Sequence, residues 1–110
     1  MRIAVASEGL NVAKSFASCP NVNYYTTSSY EIAETQNLPV EGLTLEEHAS
    51  LMEKIGVDVL LVNNISHAAL NALGAKNIRV LQGFTGSAFD AATTYLSEQA
   101  ATLESEFPEE

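Results

Sequence analysis

The chain has one cysteine and two histidines, side chains that commonly bind metals in proteins. The thiol of Cys19 suits iron–sulfur, copper or zinc chemistry. The imidazole of His67, at the start of a predicted helix, can bind a metal or donate to an anion. Because one thiol cannot hold a cluster that usually takes about four, Cys19 would act with His67, a partner protein or a second copy. A buried structural cysteine and an exposed helix-start histidine remain the alternatives.

Polar and glycine residues collect in three loops, residues 7–19, 63–67 and 83–87, each of which follows an apolar segment predicted as a strand. If those strands are parallel, the loops meet at one edge of the sheet, where open α/β sheets bind ligands. Two loops lead into helix N-termini, whose free N–H groups suit a phosphate, a carboxylate or an anionic metal–sulfur cluster. Ordinary, well-capped connections are the alternative. The candidate ligand-contacting residues are Ser7, Ser15, Cys19, Asn63, Asn64, Ser66, Gly83 and Gly86.

Catalytic patterns are weak, and we expect a protein that is not an enzyme. Ser66 and His67 are adjacent in sequence, which is poor geometry for a nucleophile and its base. The pair Gly83-x-x-Gly86 is too short for a phosphate-binding loop and lacks its lysine. A two-metal nuclease needs several clustered carboxylates, whereas Glu8 and Asp58 are the acids predicted near strand ends.

A strand–helix–strand unit must position two of the three loops. Residues 57–62 are apolar without alternation, which is typical of a central parallel strand covered on both faces. Ser66 can cap a helix over residues 67–76 with Leu70 and Leu73 on its inner face. Residues 78–81 form the next strand, and the connection has the length of a right-handed crossover.

The remaining elements complete an α/β domain. Residues 2–6 read as the first strand, and residues 22–28 and 29–35 as a hairpin, followed by a loop over 36–42. Thr44-x-x-Glu47 is a capping box that opens a helix ending at Gly56, and we expect His48 to be a partly buried surface residue of it. A last helix begins near Ser87. The expected architecture is a single three-layer domain, residues 1–103, with a mixed sheet of about five strands and three helices.

The composition sets limits on partners and location. The 110 residues include 14 Asp and Glu against 5 Lys and Arg, a net charge of −9. This charge argues against binding nucleic acid or an anionic membrane surface. No apolar run approaches the roughly 20 residues of a membrane helix, and with one cysteine no internal disulfide can form, which fits the cytoplasm. Residues 104–110 read as an acidic, disordered tail.

The order and spacing of several segments resemble the dinitrogenase iron–molybdenum cofactor biosynthesis family, whose members are small domains with a ribonuclease-H-like motif. The similar segments are Met1-Arg2-Ile3-Ala4-Val5-Ala6, Val12 with Phe16 and Cys19-Pro20, Tyr24-Tyr25, residues 56–62, Ala69-Leu70-Asn71-Ala72-Leu73, Ile78-Arg79-Val80 and Gly83-x-x-Gly86. Where the family commonly has His-Phe-Gly, this chain has Ser15, Phe16 and Ala17. Where it commonly has Gly-Gly, this chain has Asn63-Asn64.

The resemblance implies a small carrier that binds an iron–sulfur or molybdenum-containing cluster during cofactor assembly. Its partners would be cofactor-assembly or acceptor proteins, and Cys19 with His67 would contact the metal. The alternative is a degenerate relative without bound metal that acts as a protein–protein module, with a homodimer left open. A third hypothesis is a site for a small organic anion at the helix N-termini.

Overall fold

The computed structural model describes the backbone of residues 1–106 and the side chains of residues 1–99. The strands are β1 (Arg2–Glu8), β2 (Asn11–Val12), β3 (Asn21–Ser28), β4 (Glu31–Pro39), β5 (Val59–Leu61) and β6 (Arg79–Leu81). The helices are α1 (Leu45–Lys54), α2 (His67–Gly74) and α3 (Ala88–Glu106), with a short 3-10 turn at Phe16–Ser18. The end of the predicted acidic tail, residues 107–110, lies outside the described residues.

The sheet is mixed, with the order β4-β3-β1-β5-β6 and β2 paired to β1 beside that path. β1 is parallel to β5, and β5 is parallel to β6. β3 is antiparallel to both β1 and β4. The predicted α/β fold with three helices is therefore confirmed, and the parallel strands β1, β5 and β6 point their carboxyl ends toward one edge, called here the carboxyl edge.

Both faces of the sheet are covered, as the apolar run over residues 57–62 predicts. Leu60 and Val62 pack with Met52 of α1 and Leu73 of α2 in one core cluster. Leu61 packs on the opposite face with α3 in the other cluster. Because successive strand residues point to opposite faces, two adjacent leucines can both be fully buried only when each face has its own helical layer.

The prediction of a loop over residues 36–42 is wrong for residues 36–39, because β4 continues to Pro39, which pairs with Asn21, and the connection to α1 begins only after that residue. Pro39 is tolerated since β4 is an edge strand, where a missing N–H breaks no central ladder. The hairpin is confirmed, but β4 begins at Glu31 rather than at residue 29. Ser29 and Tyr30 form its two-residue turn with φ of 52° and 64°, the left-handed conformation of a type I′ turn without the usual Asn-Gly.

The helix boundaries follow their capping residues. The capping box of α1 is present, since the Glu47 N–H donates to Thr44 Oγ1 at 3.1 Å and the Thr44 N–H donates to Glu47 Oε1 at 2.8 Å. Gly56, with φ of 76°, lies just beyond the helix. The inner face of α2 carries Ala69 and Leu73; Leu70 is only half-buried. No helix among residues 1–106 is long and apolar enough to cross a membrane.

Candidate functional site

The three predicted loops meet at the carboxyl edge and are hydrogen-bonded to one another. The Phe16 N–H donates to the Asn64 carbonyl at 2.9 Å, and the Gly83 N–H donates to the Asn63 carbonyl at 3.1 Å. The Val12 N–H donates to the Gly86 carbonyl at 2.7 Å. The parallel strands thus bring together residues up to 74 positions apart in the sequence, such as Val12 and Gly86, and the backbone bonds hold the loops in one continuous surface.

Asn64 joins the first two loops through its side chain as well as its backbone. Its Nδ2 donates to the Lys14 carbonyl at 3.1 Å, while its own carbonyl accepts from Phe16. Asn64, the second residue of the pair that replaces the resembling family's Gly-Gly, therefore joins the loop after β5 to the loop over residues 7–19. A ligand at this surface would meet the Asn64 side chain already hydrogen-bonded to the Lys14 carbonyl.

The remaining loop residues are placed at helix starts and turns. Ser66 caps α2, with its Oγ accepting from the Ala69 N–H at 3.1 Å. Gly83 and Gly86 have φ of 91° and 84°, so their loop adopts turns that favour glycine. His67 is exposed at the first position of α2. These positions leave the backbone of the β6 loop and the imidazole of His67 open to solvent.

Two predicted serines satisfy their hydroxyls locally. Ser7 is fully buried, and its Oγ donates to the Val5 carbonyl at 2.7 Å. The Ser15 and Ser18 hydroxyls are 2.8 Å apart across the 3-10 turn. Ser7 therefore lies beneath the carboxyl edge rather than on its surface, and Ser15 lies at the entrance to the turn.

Cys19 is a free thiol buried in the cluster beneath α1 and α2, with 6% of its surface exposed. Burial raises the pKa of this thiol to about 11, against a partial opposing effect of hydrogen bonds from its own backbone and that of Ser7. Within the part of the chain that the structure describes, no group of three or more His, Cys, Asp or Glu is placed to hold a metal ion. The role of Cys19 and His67 as a joint metal site stays a prediction.

The buried thiol has a measurable consequence. At pH 8, we expect Cys19 to react with an aromatic disulfide reagent at least about 100-fold more slowly in the native protein than in urea, because only the thiolate attacks and burial suppresses it. The measurement is the absorbance of the released thiolate over time. Reaction at the same rate in both conditions would show that Cys19 is accessible at the surface.

The expectation for His48 is wrong: its side chain is buried, with 6% of its surface exposed. The ring stacks on Phe16 with 4.2 Å between ring centroids and 16° between planes. Both rings line a cleft of about 160 Å³ between the 3-10 turn and the starts of α1 and α2, called here the His48 cleft. Its other lining residues include Ala17, Thr44, Ser66 and Ala69.

The sequence contains a signal that points to this burial. His48 lies three residues after Leu45 and four before Met52, so it belongs to the apolar stripe of α1 rather than to the strip beside it. Its Nε2 is buried and has no hydrogen-bond partner. Burial lowers the pKa of the imidazole to about 4, which keeps the ring neutral at pH 7.

Comparison with solved structures finds the same fold in proteins of low sequence identity. PH0822 has a TM-score of 0.83 at 18% identity, over 89% of this chain and 90% of that one. MJ0327 of Methanocaldococcus jannaschii has a TM-score of 0.73 at 16% identity, over 89% of each chain. The apo form of the orange protein from Desulfovibrio gigas has a TM-score of 0.76 at 23% identity, over 89% and 88%.

Curated protein sequences yield no match. A family model described as dinitrogenase iron-molybdenum cofactor matches residues 1–98, which is nearly all of the described chain. The match covers every element of the sheet, α1, α2, most of α3 and all three loops of the carboxyl edge. This chain therefore belongs to the dinitrogenase iron-molybdenum cofactor family.

Proposed function

We propose that this protein binds a small metal–sulfur unit, containing iron or molybdenum, and carries it between other proteins during cofactor assembly. The observation that carries the proposal is the His48 cleft, which lies where the loops after β1 and β5 meet two helix starts in a chain of this family. The protein would bind and release this cargo without changing it chemically, so no catalytic step is required.

His48, which lines the cleft, fits such a cargo better than Cys19, which is not among the lining residues. Neutral imidazole can ligate a metal, and the uncharged ring of His48 lines the cleft. Cys19 fits less well, since a thiol with a pKa of about 11 is protonated at pH 7, whereas metal ligation needs the thiolate. Cargo that binds through Cys19 would have to displace the proton of the thiol to solvent, which the raised pKa makes costly.

The proposed partners follow from transport. A carrier needs a donor and an acceptor, and we assign both to proteins of cofactor assembly in the cytoplasm. A surface with a net charge of −9 would favour partners with basic docking surfaces and would make the encounter rate fall as salt is added. Nucleic acid does not fit this charge.

Anaerobic reconstitution tests the proposed function. Protein incubated with ferrous iron, sulfide and molybdate, and then desalted, is expected to retain metal at a fixed stoichiometry and to absorb visible light. The measurements are elemental analysis and an absorption spectrum, with Cys19→Ser run in parallel to report whether the thiol contributes. If wild-type protein retains no metal and stays colourless, the carrier function is contradicted and a metal-free interaction module becomes the better interpretation.

A further inference from the structure

His48 is a buried polar side chain that lines the cleft and has a ring nitrogen without a hydrogen-bond partner. We infer that its imidazole is the protein ligand to a metal in the cargo, and that the cargo is a small unit that arrives with its own sulfide or oxide ligands. The inference rests on the proposed function and adds to it a residue, a position and a size class.

The buried Nε2 of His48 lowers the stability of the metal-free protein. A buried ring nitrogen without a hydrogen-bond partner destabilises a protein relative to one that is hydrogen-bonded. Nε2 has no such partner among the described residues. Phenylalanine would preserve the stacking on Phe16 without this cost, so packing alone does not explain an imidazole at this position.

The ring of His48 is in the chemical state that metal binding requires. Because burial lowers the pKa of His48 to about 4, the imidazole is neutral at pH 7 and one ring nitrogen keeps its lone pair. Neutral imidazole is the form that binds metals. Stacking on Phe16 restricts the ring's orientation, which reduces the conformational freedom lost when a ligand binds.

The lining and the volume of the cleft indicate which class of cargo it could hold. His48 is the one His, Cys, Asp or Glu among the described residues that line the cleft. A bare ion would be held weakly because it would gain a single protein ligand. A metal that already carries other ligands needs one more donor. The volume of about 160 Å³ is close to the roughly 150 Å³ that holds one benzene-sized molecule. A unit with one or two metals is therefore favoured over a large cluster.

The charges around the cleft orient the cargo. The first turn of α1 carries Glu46 and Glu47, and the Glu47 carboxylate accepts from the Thr44 N–H, so that helix start is already supplied with negative charge. The first turn of α2 carries no acidic residue. Negatively charged sulfide or oxide ligands would therefore lie toward Ser66 and the start of α2, with the metal toward His48.

The experiment uses the fact that the chain has two histidines. Protein labelled with ¹⁵N-histidine is titrated anaerobically with ferrous iron and tetrathiomolybdate, and imidazole nitrogens are followed by long-range ¹H–¹⁵N NMR. We expect a ring nitrogen of His48 to shift or broaden while the signals of His67 stay in place. Equal changes at both rings, or a change at His67 alone, would overturn the assignment.

Variants provide the second readout. His48→Phe, and His48→Leu in case the first packs poorly, should retain at least about tenfold less iron and molybdenum than wild type, while Tyr30→Phe, at an exposed aromatic residue that does not line the cleft, should change retention by less than about twofold. Thermal melts confirm that each variant is folded. If His48→Phe retains as much metal as wild type, the inference fails and the carrier function stands; if wild type retains none, both fail.

Discussion

Leu60→Ala and Leu61→Ala should each lower the free energy of unfolding by about 3–5 kcal/mol. Both side chains are fully buried in β5, and they point to opposite faces of the sheet. Each substitution removes three buried carbon atoms and leaves a cavity against a different helical layer. Since small domains are stable by about 5–15 kcal/mol, either loss is a large part of the total. The measurement is urea unfolding followed by circular dichroism.

Leu10→Ala is the matched control, because Leu10 is 78% exposed and its truncation should change stability by less than about 0.5 kcal/mol. The paired design tests the three-layer fold itself. If one of the two β5 variants costs less than about 1 kcal/mol, the face to which that leucine points would be open to solvent, which contradicts a sheet covered on both sides.

The metal-free protein should lose stability as pH falls from 6.5 to 4, in part because of His48. The unfolded chain binds a proton near pH 6.5, whereas burial lowers the pKa of the folded imidazole to about 4. Between these values the unfolded state holds more protons, so protonation favours unfolding; above 6.5 the group has no effect. We expect this effect to lower the free energy of unfolding by about 1–2 kcal/mol at pH 4. The expected loss is smaller than for a fully enclosed ring because the cleft beside His48 is open to solvent.

Carboxylates titrate in the same range, so the test is a difference between proteins. The free energy of unfolding of His48→Phe should fall less steeply between pH 6.5 and 4 than that of wild type, and His67→Phe should follow wild type. Urea midpoints at half-unit pH steps give the comparison. Parallel curves for wild type and His48→Phe would mean that the buried imidazole is protonated without cost.

Much of the fold was predictable from local patterns. The capping box at Thr44 and Glu47, the cap at Ser66 and the unalternating strand over residues 57–62 each depend on neighbours within a few positions, and each is present. The error at residues 36–39 has a definite source. Pro39 is a loop signal in isolation, and pairing with Asn21 of β3 is what makes it the end of an edge strand.

The candidate site was likewise predictable in part. Parallel strands imply that loops after them share an edge, so the meeting of the three loops followed from the predicted topology. That Asn64 bonds to Lys14 and Phe16, and that Ser7 is buried, depend on contacts between segments far apart in the chain.

By itself, the sequence determined the α/β class, the helix starts, the family and the edge at which ligands would bind, because these depend on local residue patterns. The tertiary structure decided which side chains face that edge. It placed His48 against Phe16, 32 positions earlier in the chain, and left its Nε2 without a partner. The apolar spacing within α1 indicates that His48 faces inward, but it does not specify what packs over the ring. That cover comes from Phe16 and from the start of α2, which lie far from His48 in the chain.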